Sequence, residues 1–109
     1  MSEPTARRRL GPEFDEDGFL RDPGNWSEAL AERLAQELGV SDLTKAHWRV
    51  LRYLREHYLE HGALPVMAHV CRVTGLEHHC VEHLFAQRPL LAWKLAGLPN
   101  PGEEVKTYL

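Results

Sequence analysis

Cys71, His78, His79, Cys80 and His83 bring both cysteines and three of the seven histidines of the 109-residue chain into one short stretch. Thiolates attack and imidazoles bind metals or move protons, so this stretch is the first place to look for chemistry. His79 and His83 stand at i, i+4, and Cys80 and His83 at i, i+3, spacings that let two side chains of one helix converge on a zinc ion. The paired knuckles of a familiar zinc site are incomplete, however, and the same pattern describes a solvated histidine face. No metal and no other cofactor is expected. Cys71 falls among the apolar residues Val70 and Val73, and Cys80 stands beside Val81. Both therefore read first as small core residues, since free cysteine is among the most often buried types. A reactive role for either would need an exposed thiolate, which His79 or His83 could help to create. Two cysteines are too few for a disulfide framework, fit a reducing compartment, and are read here without a bridge.

These residues must be positioned by helices. Trp26, Leu30, Leu34 and Leu38 recur at i+4, and Gly39 ends that pattern as a C-cap. Thr44 precedes a second helix in which Trp48, Leu51, Leu54 and Tyr58 share one face, while Lys45, Arg49, Arg52 and Glu56 take the other; Gly62 stops it. Pro65 opens a third helix through Val66, Val70 and Val73 to Gly75. A fourth spans about Glu77 to Ala86, and a fifth begins at Pro89 and runs from Leu90 to Leu95, where Gly97, Pro99, Pro101 and Gly102 forbid continuation. Ahead of the helices, Phe14 and Phe19-Leu20 flank the turn Asp15-Glu16-Asp17-Gly18, which predicts a β-hairpin over 12–22 that must pack on something else. Residues 1–11 read as a mobile start, 26–97 as the helical core and 98–109 as a carboxy-terminal arm. The expected fold is one α+β domain, mostly α.

With 13 Lys+Arg against 16 Asp+Glu, the net charge of −3 gives no general drive toward nucleic acid. No apolar run reaches the ~20 residues of a membrane span. No apolar run follows Arg7-Arg8-Arg9 either, so a secretory leader is not expected and the chain reads as cytosolic.

Asp17-Gly18-Phe19-Leu20, Trp26-Ser27-Glu28, Leu43-Thr44-Lys45-Ala46-His47-Trp48, Leu54-Arg55-Glu56-His57-Tyr58 and Lys94-Leu95-Ala96-Gly97-Leu98-Pro99-Asn100-Pro101 resemble, in order and spacing, the DsrC/TusE family. That family comprises the gamma subunit of dissimilatory sulfite reductase and the sulfur-relay protein serving tRNA 2-thiouridine formation. The resemblance runs from about Asp15 to Glu104. It implies a small amino-terminal β-meander on about five helices, and an arm on which a penultimate cysteine carries sulfur and pairs with a second cysteine upstream. An exposed thiolate on an arm suits delivery to several partners. In this chain Trp93 stands where the upstream cysteine would be and Glu104 where the penultimate one would be, and neither can carry sulfur. Lys106-Thr107-Tyr108-Leu109 extend the usual end, and the Gly75–Phe85 connection lacks a basic insertion.

The resemblance therefore implies a scaffold that docks on sulfur-transfer or sulfite-reductase-type proteins, with Lys94, Gly97, Pro99 and Pro101 forming the partner-binding part of the arm. Two alternatives remain: a carrier using Cys80 or Cys71, and a DNA-binding regulator using the third and fourth helices as a helix-turn-helix. The would-be recognition helix offers Glu77, Glu82 and histidines with no Lys or Arg before Arg88, which opposes phosphate contact, so nucleic acid is not the expected partner. No Gly-rich phosphate loop, Ser/His/Asp ordering or apolar carboxylate pair supports an independent catalyst. Trp26 and Trp48 read as core residues, whereas Trp93 either packs the arm down or anchors a partner.

Overall fold

The first two helices each start where the sequence supplies an acceptor for their orphan amides and end where a glycine turns left-handed. Residues 13–40, 42–63 and 65–102 are described by the computed structural model. Helix α1 (Glu28–Leu38) begins on Ser27, whose hydroxyl accepts from Leu30 N–H at 3.1 Å, and ends at Gly39 with φ 82°. Helix α2 (Lys45–His61) begins in a capping box made by Thr44 and His47 and ends at Gly62 with φ 69°. Helices α3 (Met67–Val73), α4 (Cys80–Leu84) and α5 (Pro89–Leu95) follow.

Helix α2 is the central element, contacting α3, α4 and α5, while α5 also packs on α1 and α4. Leu34 and Ala35 of α1, Val50, Leu51 and Leu54 of α2, Val81 of α4 and Leu91, Trp93 and Leu95 of α5 join one buried cluster. Removing such side chains from water is the main favourable contribution to this fold.

The structure corrects the reading at three places. The helix expected to begin at Trp26 begins two residues later, because Pro23–Asn25 form a 3-10 turn capped by Asp22, and Trp26 stays extended with ψ 150°. The fourth helix is confined to Cys80–Leu84, because Ala86 and Gln87 adopt φ 58° and 63°, and two consecutive left-handed residues cannot continue a right-handed helix. The hairpin over 12–22 is not supported: no strand forms among the described residues, and only an isolated antiparallel bridge joins Phe14 and Leu20. Pro23 sets the chain turning soon after Leu20, which leaves little room for a ladder. The turn is held by Asp15, whose carboxylate accepts from the amides of Asp17 and Phe19 at 2.9 Å each, while Phe14, Phe19 and Leu20 are buried.

No helix among the described residues is long and apolar enough to cross a membrane.

Candidate functional site at the root of the carboxy-terminal arm

Five carbonyl and carboxylate acceptors fasten the end of α5 and the first residues of the arm to the rest of the molecule. Trp26 Nε1 donates to Leu95 O at 2.8 Å. Arg55 reaches from α2, its Nη1 donating to Ala96 O at 2.9 Å and its Nη2 to Pro23 O at 3.2 Å, with the guanidinium 4.4 Å from the centre of the Trp26 ring. Burial pushes the Arg55 pKa down from its usual range. It remains a cation there, since guanidinium deprotonates only far above neutrality. Asn100 Nδ2 bridges to Asp15 Oδ2 at 3.2 Å and Asp17 Oδ2 at 2.9 Å, so the amino-terminal turn clamps the arm from the opposite side.

Trp93 is 1% exposed. Its indole N–H donates to Pro99 O at 2.6 Å, and its ring meets Tyr58 edge-on at 5.8 Å. Of the two roles open to Trp93, packing the arm down is the one this geometry serves. Lys94 lies with Nζ 5.1 Å from the Phe19 ring centre, and Pro99 and Pro101 are half-buried. Gly97 turns the chain at φ 71°, and a Cβ there would collide with the Trp26 indole, 2.6 Å from Cγ. The arm root needs a glycine at this point for both reasons. Glu104 and the rest of the arm from 103 onward lie outside the described residues, as do residues 1–12.

The Cys-His stretch does not assemble as a metal site. Cys71 and Cys80 are joined in a disulfide with Cα atoms 5.7 Å apart, and they are 1% and 2% exposed. The core placement read from their apolar neighbours holds, and the reading without a bridge does not: α3 and the start of α4 lie close enough for the sulfurs to bond. A bonded, buried sulfur is neither a metal ligand nor an attacking thiolate. His83 Nδ1 is engaged by Glu77 Oε2 at 2.5 Å, and the His79–His83 ring centres are 6.3 Å apart. The backbone N–H of His79, donating to Glu77 Oε1 at 3.0 Å, holds the Glu77 carboxyl below its ordinary pKa, helped by the nearby His83. Among the described residues no group of three or more His, Cys, Asp or Glu is arranged around an ion. Helix α4 carries Glu82 and no Lys or Arg, so its charge stays unfavourable for DNA.

Arg55 and Asn100 stand within the recognised segments, Asp15 in the expected turn and Tyr58 on the apolar face of the second helix, but the sequence does not show what each of them holds. Their partners lie up to 85 residues away, and no local spacing signals such a bond. His47, within a recognised segment, also has a role that no local spacing signals. It is buried, its Nδ1 accepts from Thr44 N–H at 3.0 Å, and its Nε2 lies 2.8 Å from Leu84 O, which places the ring proton on Nε2 and ties α2 to α4.

The comparisons with known proteins agree with this geometry. A family model described as "DsrC like protein" matches residues 9–105. The gamma subunit of dissimilatory-type sulfite reductase from Nitratidesulfovibrio vulgaris is 33% identical over 90 residues, covering 82% of this chain and 86% of the relative. The sulfurtransferase TusE of Salmonella choleraesuis is 34% identical over 95 residues, covering 80% and 86%. Among solved structures, the oxidised DsrC gamma subunit from Archaeoglobus fulgidus superposes with a TM-score of 0.70 at 35% identity, covering 83% of this chain and 89% of that one. With its arm root bound in place by Trp26, Arg55, Trp93 and Asn100, and with the family model matching nearly its whole length, the chain belongs to the DsrC family.

Proposed function

We propose that the chain is a docking member of the DsrC family that carries no sulfur on its arm. It would bind a sulfite-reductase-type or sulfur-transfer protein in competition with carrier homologues and so act as a regulator rather than an enzyme. The observation that carries this reading is Trp93. At the position matching the family's upstream cysteine, the chain holds a buried indole whose N–H is committed to Pro99 O at 2.6 Å. That side chain strengthens the arm root while removing its thiol, which is what a scaffold kept for its shape requires.

The half-buried Pro99 and Pro101, with Lys94 beside them, form the docking part of the arm, and Glu104 takes the place of the sulfur-carrying residue. A carrier role for Cys71 or Cys80 has less support, because both sulfurs are buried and bonded to one another. Burial also shields the bond from cytosolic reductants, so the proposed cytosolic location is compatible with it.

The test is binding of the untagged full chain to a purified dissimilatory-type sulfite reductase stripped of its gamma subunit. The reading expects saturable binding that the cysteine-bearing gamma subunit displaces and that Pro99→Ala/Pro101→Ala weakens. Absence of binding to that enzyme and to the sulfur-transfer partners of a TusE protein would refute it.

A further inference from the structure

We infer that His57 and His61, near the carboxy-terminal end of α2, form a two-histidine clamp for a borderline divalent transition-metal ion such as Cu2+, Ni2+ or Zn2+. They stand at i, i+4 on a 17-residue helix, and their ring centres are 4.7 Å apart. With metal–nitrogen distances of about 2.0–2.1 Å and a ring centre roughly 1.1 Å behind its nitrogen, two imidazoles on one ion at tetrahedral to octahedral angles have centres roughly 4.5–5.3 Å apart. The His57–His61 pair falls inside that interval. The His79–His83 pair, at 6.3 Å and with His83 held by Glu77, falls outside it.

Three further features favour a cation at this place. The last turn of α2 presents the negative end of the helix dipole. Glu60 places Oε1 3.4 Å from His61 Nε2, adding negative charge beside the site. His61 is 57% exposed, so an ion can enter from solvent. The segment His57-Tyr58-Leu59-Glu60-His61 also has the H-x-x-E-H spacing that one class of zinc peptidases places on a helix. No third ligand completes a group here among the described residues. The clamp is thus a binding site whose remaining positions go to water or to an incoming donor, and it has no hydrolytic role. Neutral imidazole suits these ions, and the Irving–Williams order makes Cu2+ the tightest of the three.

The experiment titrates the untagged full chain with CuCl2, NiCl2 and ZnCl2 against a competing chromophoric chelator, and records the electron paramagnetic resonance spectrum of the Cu2+ form. One ion per chain is expected, with Cu2+ bound most tightly and nitrogen hyperfine structure from two imidazoles. His57→Ala and His61→Ala should each weaken binding by about ten-fold or more, the scale on which even outer-shell partners act. His79→Ala/His83→Ala should leave it unchanged. His61, His79 and His83 are exposed and His57 is half-buried, and circular dichroism checks that each variant is folded. No binding, binding indifferent to both His57→Ala and His61→Ala, or binding lost only with the His79/His83 pair would each overturn the assignment. Binding to sulfite reductase is not required for any of these readouts.

Discussion

Replacing Gly97 by alanine tests the arm root at its tightest point, and Gly39 supplies the matched control. Both glycines are left-handed, with φ 71° and 82°, so an alanine at either carries the same backbone penalty of roughly 1–2 kcal/mol. They differ in space: nothing lies within 4 Å of a Cβ built on Gly39, whereas one built on Gly97 lies 2.6 Å from Trp26 Cγ and 2.8 Å from its Cβ. The indole has to move. Moving it breaks the 2.8 Å bond to Leu95 O, which is worth about 1 kcal/mol net and more if the carbonyl stays dry. It also disturbs the Arg55 contact at 4.4 Å, worth about 0.5–1 kcal/mol, and adds overpacking of roughly 1–3 kcal/mol. Gly97→Ala should therefore lose about 2.5–5 kcal/mol more than Gly39→Ala. In urea unfolding followed by circular dichroism, with a slope of roughly 2 kcal/mol/M, the midpoints should differ by about 1–2.5 M. In a Trp26→Ala background most of that excess should disappear, a coupling that a double-mutant cycle measures directly. Equal midpoints for the two glycine variants, or an excess undiminished without Trp26, would refute the reasoning.

Reducing the Cys71–Cys80 bond, or making Cys71→Ala/Cys80→Ala, releases a loop closed over a separation of nine residues, for which chain entropy gives about 2.7 kcal/mol of lost stability; chemical denaturation with and without reductant measures it. Arg55→Met keeps much of the stem but deletes both carbonyl bonds, and should cost roughly 2–4 kcal/mol, read as a lowered melting temperature with extra mobility of Ala96–Asn100 in hydrogen exchange. Because the His79 backbone N–H holds the Glu77 carboxyl below the ordinary carboxylate range, its contribution is present above that range and is lost as the pH falls through the lowered value. An NMR titration should place the Glu77 midpoint below 4.5, and Glu77→Gln should flatten the acid limb of the stability profile.

Gly39, Thr44 and Gly62 are legible as helix boundaries because such signals are local and act within a turn of where they stand. Trp26 reads as part of α1 because its i+4 spacing to Leu30 fits a helix equally well, and only the Ser27 cap separates the two cases. The end of α4 was illegible, since neither Ala86 nor Gln87 announces a positive φ. The hairpin was read from two apolar ends and a good turn, yet the turn formed and the ladder did not. At the site, Lys94, Gly97, Pro99 and Pro101 were legible as a motif, while the reason for each was not. The Trp26 indole that makes Gly97 obligatory, the Arg55 fork on Ala96 and the Asp15–Asn100 clasp all connect residues 41 to 85 positions apart. The Cys71–Cys80 bond depends on how two helices cross, which spacing alone does not fix.

The central claim, that this is a DsrC-family scaffold without a sulfur-carrying thiol, is met most directly by intact-mass spectrometry of the native chain after incubation with a small-molecule persulfide donor, alongside Cys71→Ala and Cys80→Ala. No sulfur should be added while the protein is folded, with both cysteines reacting only after unfolding and reduction. A gain of one sulfur on the folded chain that disappears with one of the two substitutions would contradict it.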